Sequence, residues 1–76
     1  MIFILFATNH QYGQNEFITA SESLHRAVQV WNQSRPDCDY GTCYVIENGV
    51  KTHRADYLPL ALTFDAVMNN LKEAKF

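Results

Sequence analysis

Thr19-Ala20-Ser21-Glu22-Ser23-Leu24-His25-Arg26-Ala27-Val28-Gln29-Val30-Trp31 reads as a capped amphipathic helix entered from a strand. Thr19 with Glu22 three residues later fits a capping box, and Ser21 is the alternative cap, with Leu24 as its first core contact. Leu24, Ala27, Val28 and Trp31 recur at helical spacing and make one apolar stripe, whereas Glu22, Arg26, Gln29 and Gln33 fall opposite it. A helix with one apolar stripe must bury that stripe on another layer, and Trp31 is its deepest reach.

Upstream, residues 2–8 form a continuous apolar, β-branched and aromatic run, the pattern of a central strand. Residues 9–15 are polar and contain Gly13, so they read as a turn, and residues 16–19 return antiparallel as a short second strand. Downstream, Pro36 cannot continue a helix and disfavours helical geometry at Arg35, so residues 32–41 form a loop. Residues 42–47 and 50–54 flank Asn48-Gly49, a hairpin signal because both turn positions tolerate positive φ. A two-residue turn pairs Ile46 with Lys51, Val45 with Thr52, Tyr44 with His53 and Cys43 with Arg54, and a bulge shifts this by one. Pro59 confines residues 57–62 to an edge strand or an extended connection. Thr63 then caps a second helix with Phe64, Val67, Met68 and Leu71 on one stripe and Lys72 and Lys75 at its C-terminal end. The expected fold is α+β, a two-layer sandwich in which two helices cover an antiparallel sheet of four to five strands, with a polar outer face on the Asn48-Gly49 hairpin.

A chain of 76 residues is one domain with room for a single core. Its 47% hydrophobic and 18% charged residues are ordinary for a folded globule. The net charge of −2, with Lys and Arg scattered at 26, 35, 51, 54, 72 and 75, provides no basic stripe and disfavours nucleic acid as a partner. The same charge is too mild for an acidic mimic of a polyanion. The opening apolar run lacks a basic leader and is too short for a membrane span, so no membrane is expected, and a reducing cytoplasm with free thiols is the expected compartment.

Few residues carry recognisable chemistry. Cys38 and Cys43 with Asp37, Asp39 and His53 are the cluster closest to a metal site, but zinc wants four sulfur or nitrogen ligands and the fourth, His10 or His25, would come from elsewhere. No metal or cofactor is therefore assigned. Cys43 beside Arg54 or His53 is a candidate for a lowered thiol pKa, yet no nucleophile motif accompanies it, and the expectation is a protein without catalytic residues. His10 in the turn and His25 on the helix flank read as polar surface residues. Lys51, His53 and Arg54 with Tyr44 and Tyr57 are the set that single-stranded nucleic acid would use. Tyr12, Arg35, Asp37, Asp39, Tyr40, His53, Arg54 and Tyr57 are the residue types that protein interfaces favour, and they are the expected partner-binding set.

The segment Phe17-Ile18-Thr19-Ala20-Ser21-Glu22-Ser23-Leu24-His25-Arg26-Ala27, within residues 16–31, and the later Asn48-Gly49 hairpin resemble the small phage-encoded host-takeover and anti-defence proteins. The resemblance implies a stoichiometric inhibitor that blocks a host machine, such as a CRISPR effector or RNA polymerase, by occupying its surface. It assigns no residue a role. The expected function is thus a protein-binding domain directed at a larger host protein or ribonucleoprotein complex, the alternative being a small nucleic-acid-binding or zinc-binding module. A third option is a homodimer formed through an open sheet edge.

Overall fold

The computed structural model describes residues 1–10 and 13–76, so Tyr12 lies outside the described residues. Seven elements follow one another as β1 (Ile2–Asn9), β2 (Gln14–Ser21), α1 (Leu24–Ser34), β3 (Tyr40–Glu47), β4 (Val50–Leu58), α2 (Phe64–Asn70) and β5 (Lys72–Glu73). The strands form one antiparallel sheet in the order β2-β1-β3-β4-β5, which is the α+β architecture expected. β1 lies between β2 and β3, as its apolar run predicts.

The quoted segment divides differently from its sequence reading. Thr19, Ala20 and Ser21 pair with Leu5, Ile4 and Phe3, so they finish β2, and neither Thr19 nor Ser21 caps the helix. Ladder hydrogen bonds to β1 outweigh the capping box there. The cap is Ser23, whose extended backbone lets its Oγ accept from the Arg26 N–H at 3.3 Å. Ser21 Oγ accepts from the Ser23 N–H and holds the approach to the cap. α1 ends where Arg35 turns left-handed, with φ 45°, and returns its N–H to the Trp31 carbonyl just before Pro36.

Leu24, Ala27, Val28 and Trp31 are buried, and Trp31 is wholly so. With Leu5, Ala7, Cys43, Ala55, Leu58, Leu62 and Val67 they make the core, which lies between the helices and one face of the sheet. Gly41 of β3 makes room for the indole, because a Cβ there would stand 2.9 Å from Trp31 Cη2. The indole Nε1 donates to the Leu60 carbonyl at 2.9 Å. Asn32 clasps Leu62 from both sides, its Nδ2 donating to the Leu62 carbonyl and its Oδ1 accepting from the Leu62 N–H. Of the expected edge strand or connection over residues 57–62, Tyr57 and Leu58 finish β4, the rest is a connection that bends at Leu60 and Ala61 and is tied to α1, and the fifth strand comes from Lys72–Glu73 instead. Thr63 caps α2 as expected, accepting from the Ala66 N–H. α2 stops at Asn70, so Lys72 sits in β5 and no basic residue lies in the last helical turn, while Met68 is 48% exposed rather than part of the stripe. His25, expected to face solvent, is exposed but stacks on Phe64 with ring centroids 4.2 Å apart, joining the two helices.

Asn48 and Gly49 both have positive φ, and Glu47 pairs with Val50 across a two-residue turn. Ile46 pairs with Lys51 as the simple register requires. A bulge between Val45 and Ile46 then shifts the ladder, so that Val45 meets His53, Tyr44 meets Arg54 and Cys43 meets Ala55. A second irregularity between Gly41 and Cys43 leaves Tyr57, at φ 56°, in a left-handed conformation that a bulky side chain rarely adopts.

Candidate functional site: the uncovered sheet face

Strand side chains alternate between faces, so the residues between the core positions point away from the helices. In register these are Ile2 with Ile46, Ile4 with Tyr44, Phe6 with Thr42 and Thr8 with Tyr40, joined by Arg54 opposite Tyr44. No helix covers this side. The Asn48-Gly49 hairpin turns Thr42, Tyr44, Lys51 and Arg54 to this side, the polar face expected of it, and β1 lays the apolar Ile2, Ile4 and Phe6 beside them.

An aromatic row crosses the face. Phe17 meets Phe6 edge-on at 6.0 Å, Phe6 meets Tyr44 at 5.7 Å, and Tyr44 meets Phe76 at 5.8 Å. Such T-shaped contacts put a ring edge against the negative face of its neighbour. A second group stands near the open end of β3, with the Tyr40 ring 5.1 Å from His10 and 4.7 Å from Tyr57. Phe17 and Tyr57 remain 57% and 71% exposed, so a large aromatic surface faces solvent.

Cations border the row. Lys51 Nζ stands 4.4 Å from the Tyr44 ring centre and 5.6 Å from that of Phe76, and the Arg54 guanidinium lies 5.9 Å from Tyr44. The Arg54 Nε donates to Asp56 at 2.9 Å, a hydrogen bond that pushes the guanidinium pKa up and holds the side chain along the face. Lys72 pairs with Arg54 across the β4–β5 ladder. Between Tyr40 and Tyr44 lies a shallow depression of about 260 Å³, with polar groups from Thr8, Asn15 and Thr42. Thr8 Oγ1 donates to Asn15 Oδ1 at 2.9 Å, and Thr42 Oγ1 lies 3.4 Å from Thr8 Oγ1. Partial burial, with Tyr57 and Asp56 close by, pushes the Tyr40 phenol up and keeps it a neutral hydroxyl.

The expected partner-binding set is split by the fold. Tyr40, Arg54 and Tyr57 come together on the uncovered face. Asp39 stands at its rim, where its carboxylate accepts from the His10 N–H and its own N–H donates to the Thr8 carbonyl, tying the loop to the end of β1. Arg35 belongs to the helix layer, beside Gln29, Asn32 and Gln33, and Asp37 is exposed in the loop that follows. His53 pairs with Val45 and lines the helix side of the sheet with Phe3, Met68 and Leu71, because the bulge sets Arg54 in its place opposite Tyr44. Phe6, Phe17 and Phe76 were absent from the expected set. The signal for Phe6 was there: an alternating strand that is apolar at every position must show half its side chains to the side the helices do not cover.

The thiols behave unlike the reactive cysteine considered from sequence. Cys43 faces the core beside Ala55 rather than Arg54, and burial pushes its thiol up to about 12, the reverse of activation. Cys38 is half-buried, and burial raises its thiol too. Both are free. Among the described residues, no three His, Cys, Asp or Glu side chains are grouped to share a metal ion, because Cys43 and His53 face the core side while Asp37 and Asp39 lie in the loop. Among the same residues, no helix is long and apolar enough to cross a membrane. Compared with known protein families, curated proteins and solved structures, the chain matches none of them.

Proposed function

We propose that this is a non-catalytic binding domain that acts stoichiometrically, by laying the uncovered face of its sheet on a larger protein or ribonucleoprotein and blocking that surface. The observation that carries the reading is the exposed aromatic row on β2, β1 and β3, completed by Tyr57. Aromatic and Arg side chains are the groups that anchor interfaces, and here Phe17, Tyr44, Tyr57 and Arg54 share one face.

Tyr57 adds a separate argument. A left-handed backbone at a bulky residue costs on the order of 1–3 kcal/mol, and glycine would remove that cost. The phenol nevertheless stands 71% exposed, where it contributes little to the core. Backbone strain at an exposed aromatic on this face is what a residue kept for its contacts, rather than for stability, looks like. The resemblance to host-takeover and anti-defence proteins agrees with an occlusion mechanism.

The test is capture of a partner from cells in which the chain occurs naturally, with the wild type compared against two double variants. Phe17→Ala with Tyr57→Ala removes exposed anchors from the sheet face, and Gln29→Ala with Arg35→Ala alters the helix layer. The reading expects one partner in 1:1 ratio, lost with the first pair and retained with the second. Loss with the helix-layer pair alone would place the docking surface on the wrong side of the protein.

A further inference from the structure

We infer that the ligand of the uncovered face is a single strand of nucleic acid, with one nucleobase entering the depression between Tyr40 and Tyr44 and its backbone phosphates meeting Lys51, Arg54 and Lys72. The inference rests on the docking face proposed above and names the chemistry of what it docks.

Three observations favour the nucleic-acid strand of such a ribonucleoprotein over its protein surface. First, the charge is unevenly placed: although the whole chain carries −2, Lys51, Arg54 and Lys72 border the face against two carboxylates, Asp56, which is paired with Arg54, and Asp39 at the rim. A polyanion meets a locally positive surface there. Second, the aromatics lie on β1 and β3, the central strands of an antiparallel sheet whose other side holds both helices. Bases are sequence-tolerant partners for such rings because every base has a π-face, and open four-stranded sheets present central aromatics to unstacked bases in this way. Third, the depression is polar where a base carries its hydrogen-bonding edge. Thr8, Thr42 and Asn15, bonded to one another there, place hydroxyl and amide groups between the rings, and their remaining lone pairs and N–H groups suit a base edge. Duplex nucleic acid is excluded by the same geometry, since its bases are stacked and paired and cannot enter the depression.

The experiment is fluorescence anisotropy with short labelled oligothymidylate and oligouridylate, and with a duplex of equal length, at low and at physiological salt. The expected result is binding of the single strands in preference to the duplex. Tyr44→Ala should weaken it about tenfold or more, and Tyr44→Phe, which keeps the stacking ring, should retain most of the affinity. Lys51→Ala should weaken binding less and flatten the dependence of log affinity on log salt by roughly 0.7. Arg35→Ala, on the helix layer, should change nothing. Circular dichroism and thermal melting of each variant separate loss of binding from loss of fold. Absence of single-strand binding by the wild type, or binding that Arg35→Ala abolishes while Tyr44→Ala and Lys51→Ala leave it intact, overturns the inference. In the first case the partner-capture experiment still tests the docking face, with a protein as its ligand.

Discussion

Replacing Gly41 by alanine should destabilise this protein through a contact with one ring. The added Cβ would stand 2.9 Å from Trp31 Cη2, 3.1 Å from Cζ2 and 3.3 Å from Leu58 Cβ. All three are inside the roughly 3.5–4.0 Å at which carbon atoms attract. The indole cannot step back freely, since it is fully buried and its Nε1 is bonded to the Leu60 carbonyl. Overpacking of this kind costs about 1–3 kcal/mol. In a domain of this size each kcal/mol lowers the melting temperature by about 4–8 °C, so a fall of about 4–24 °C is expected. Trp31→Phe isolates the cause. It removes the two offending carbons, at a cost of its own of roughly 2–3 kcal/mol for lost volume and the orphaned Leu60 carbonyl. In that background Gly41→Ala should cost little, a coupling of about 1–2 kcal/mol in a double-mutant cycle. Urea unfolding followed by far-ultraviolet circular dichroism measures all four proteins without relying on tryptophan fluorescence. Gly49→Ala serves as a control, because nothing lies within 4 Å of its added Cβ and only its φ of 82° is at stake, so it should not couple to Trp31→Phe. Equal costs for Gly41→Ala in the two backgrounds would refute the packing argument.

Other expectations concern caps, thiols and strain. Ser23→Ala should cost about 1 kcal/mol in thermal unfolding, whereas Thr19→Ala should not show a capping loss, because Ser23 and not Thr19 accepts from the first turn. Asn32→Ala frees both backbone groups of Leu62 and should destabilise by roughly 1–3 kcal/mol in urea titration, with Asn32→Asp recovering only the acceptor side. Burial raises the folded-state pKa of Cys43 from 9.0 to about 12, so its neutral thiol stabilises the fold fully below about pH 9 and that contribution is lost as pH rises towards 12. Cys43 should lower stability there by up to about 1.4 kcal/mol per pH unit, a contribution that Cys43→Ala removes. Tyr57→Gly should leave the melting temperature unchanged or raise it by the equivalent of up to about 1 kcal/mol, while weakening ligand binding; a large drop in stability would show that the phenol serves the fold instead.

Local sequence determined the elements whose causes are local. The helical spacing of Leu24, Ala27, Val28 and Trp31 marked the buried stripe of α1, Thr63 marked the start of α2, and Asn48-Gly49 marked the turn with its two positive φ angles. These follow from side-chain period, capping hydrogen bonds and steric freedom at neighbouring residues, so no distant part of the chain was needed to read them. The start of α1 was displaced because strand pairing with β1 competes for Thr19 to Ser21, and pairing is a long-range interaction. The bulges at Val45/Ile46 and Gly41/Cys43 were decided the same way, and they determine which side of the sheet each later residue of β4 faces. One extra residue sends His53 to the helix side and leaves Arg54 beside Tyr44, so that of the seven described candidates Tyr40, Arg54 and Tyr57 cluster on the uncovered face. Only the tertiary structure could bring Phe17, Phe6, Tyr44 and Phe76, drawn from both ends and the middle of the chain, into one row, because both helices cover the opposite face and leave this one open.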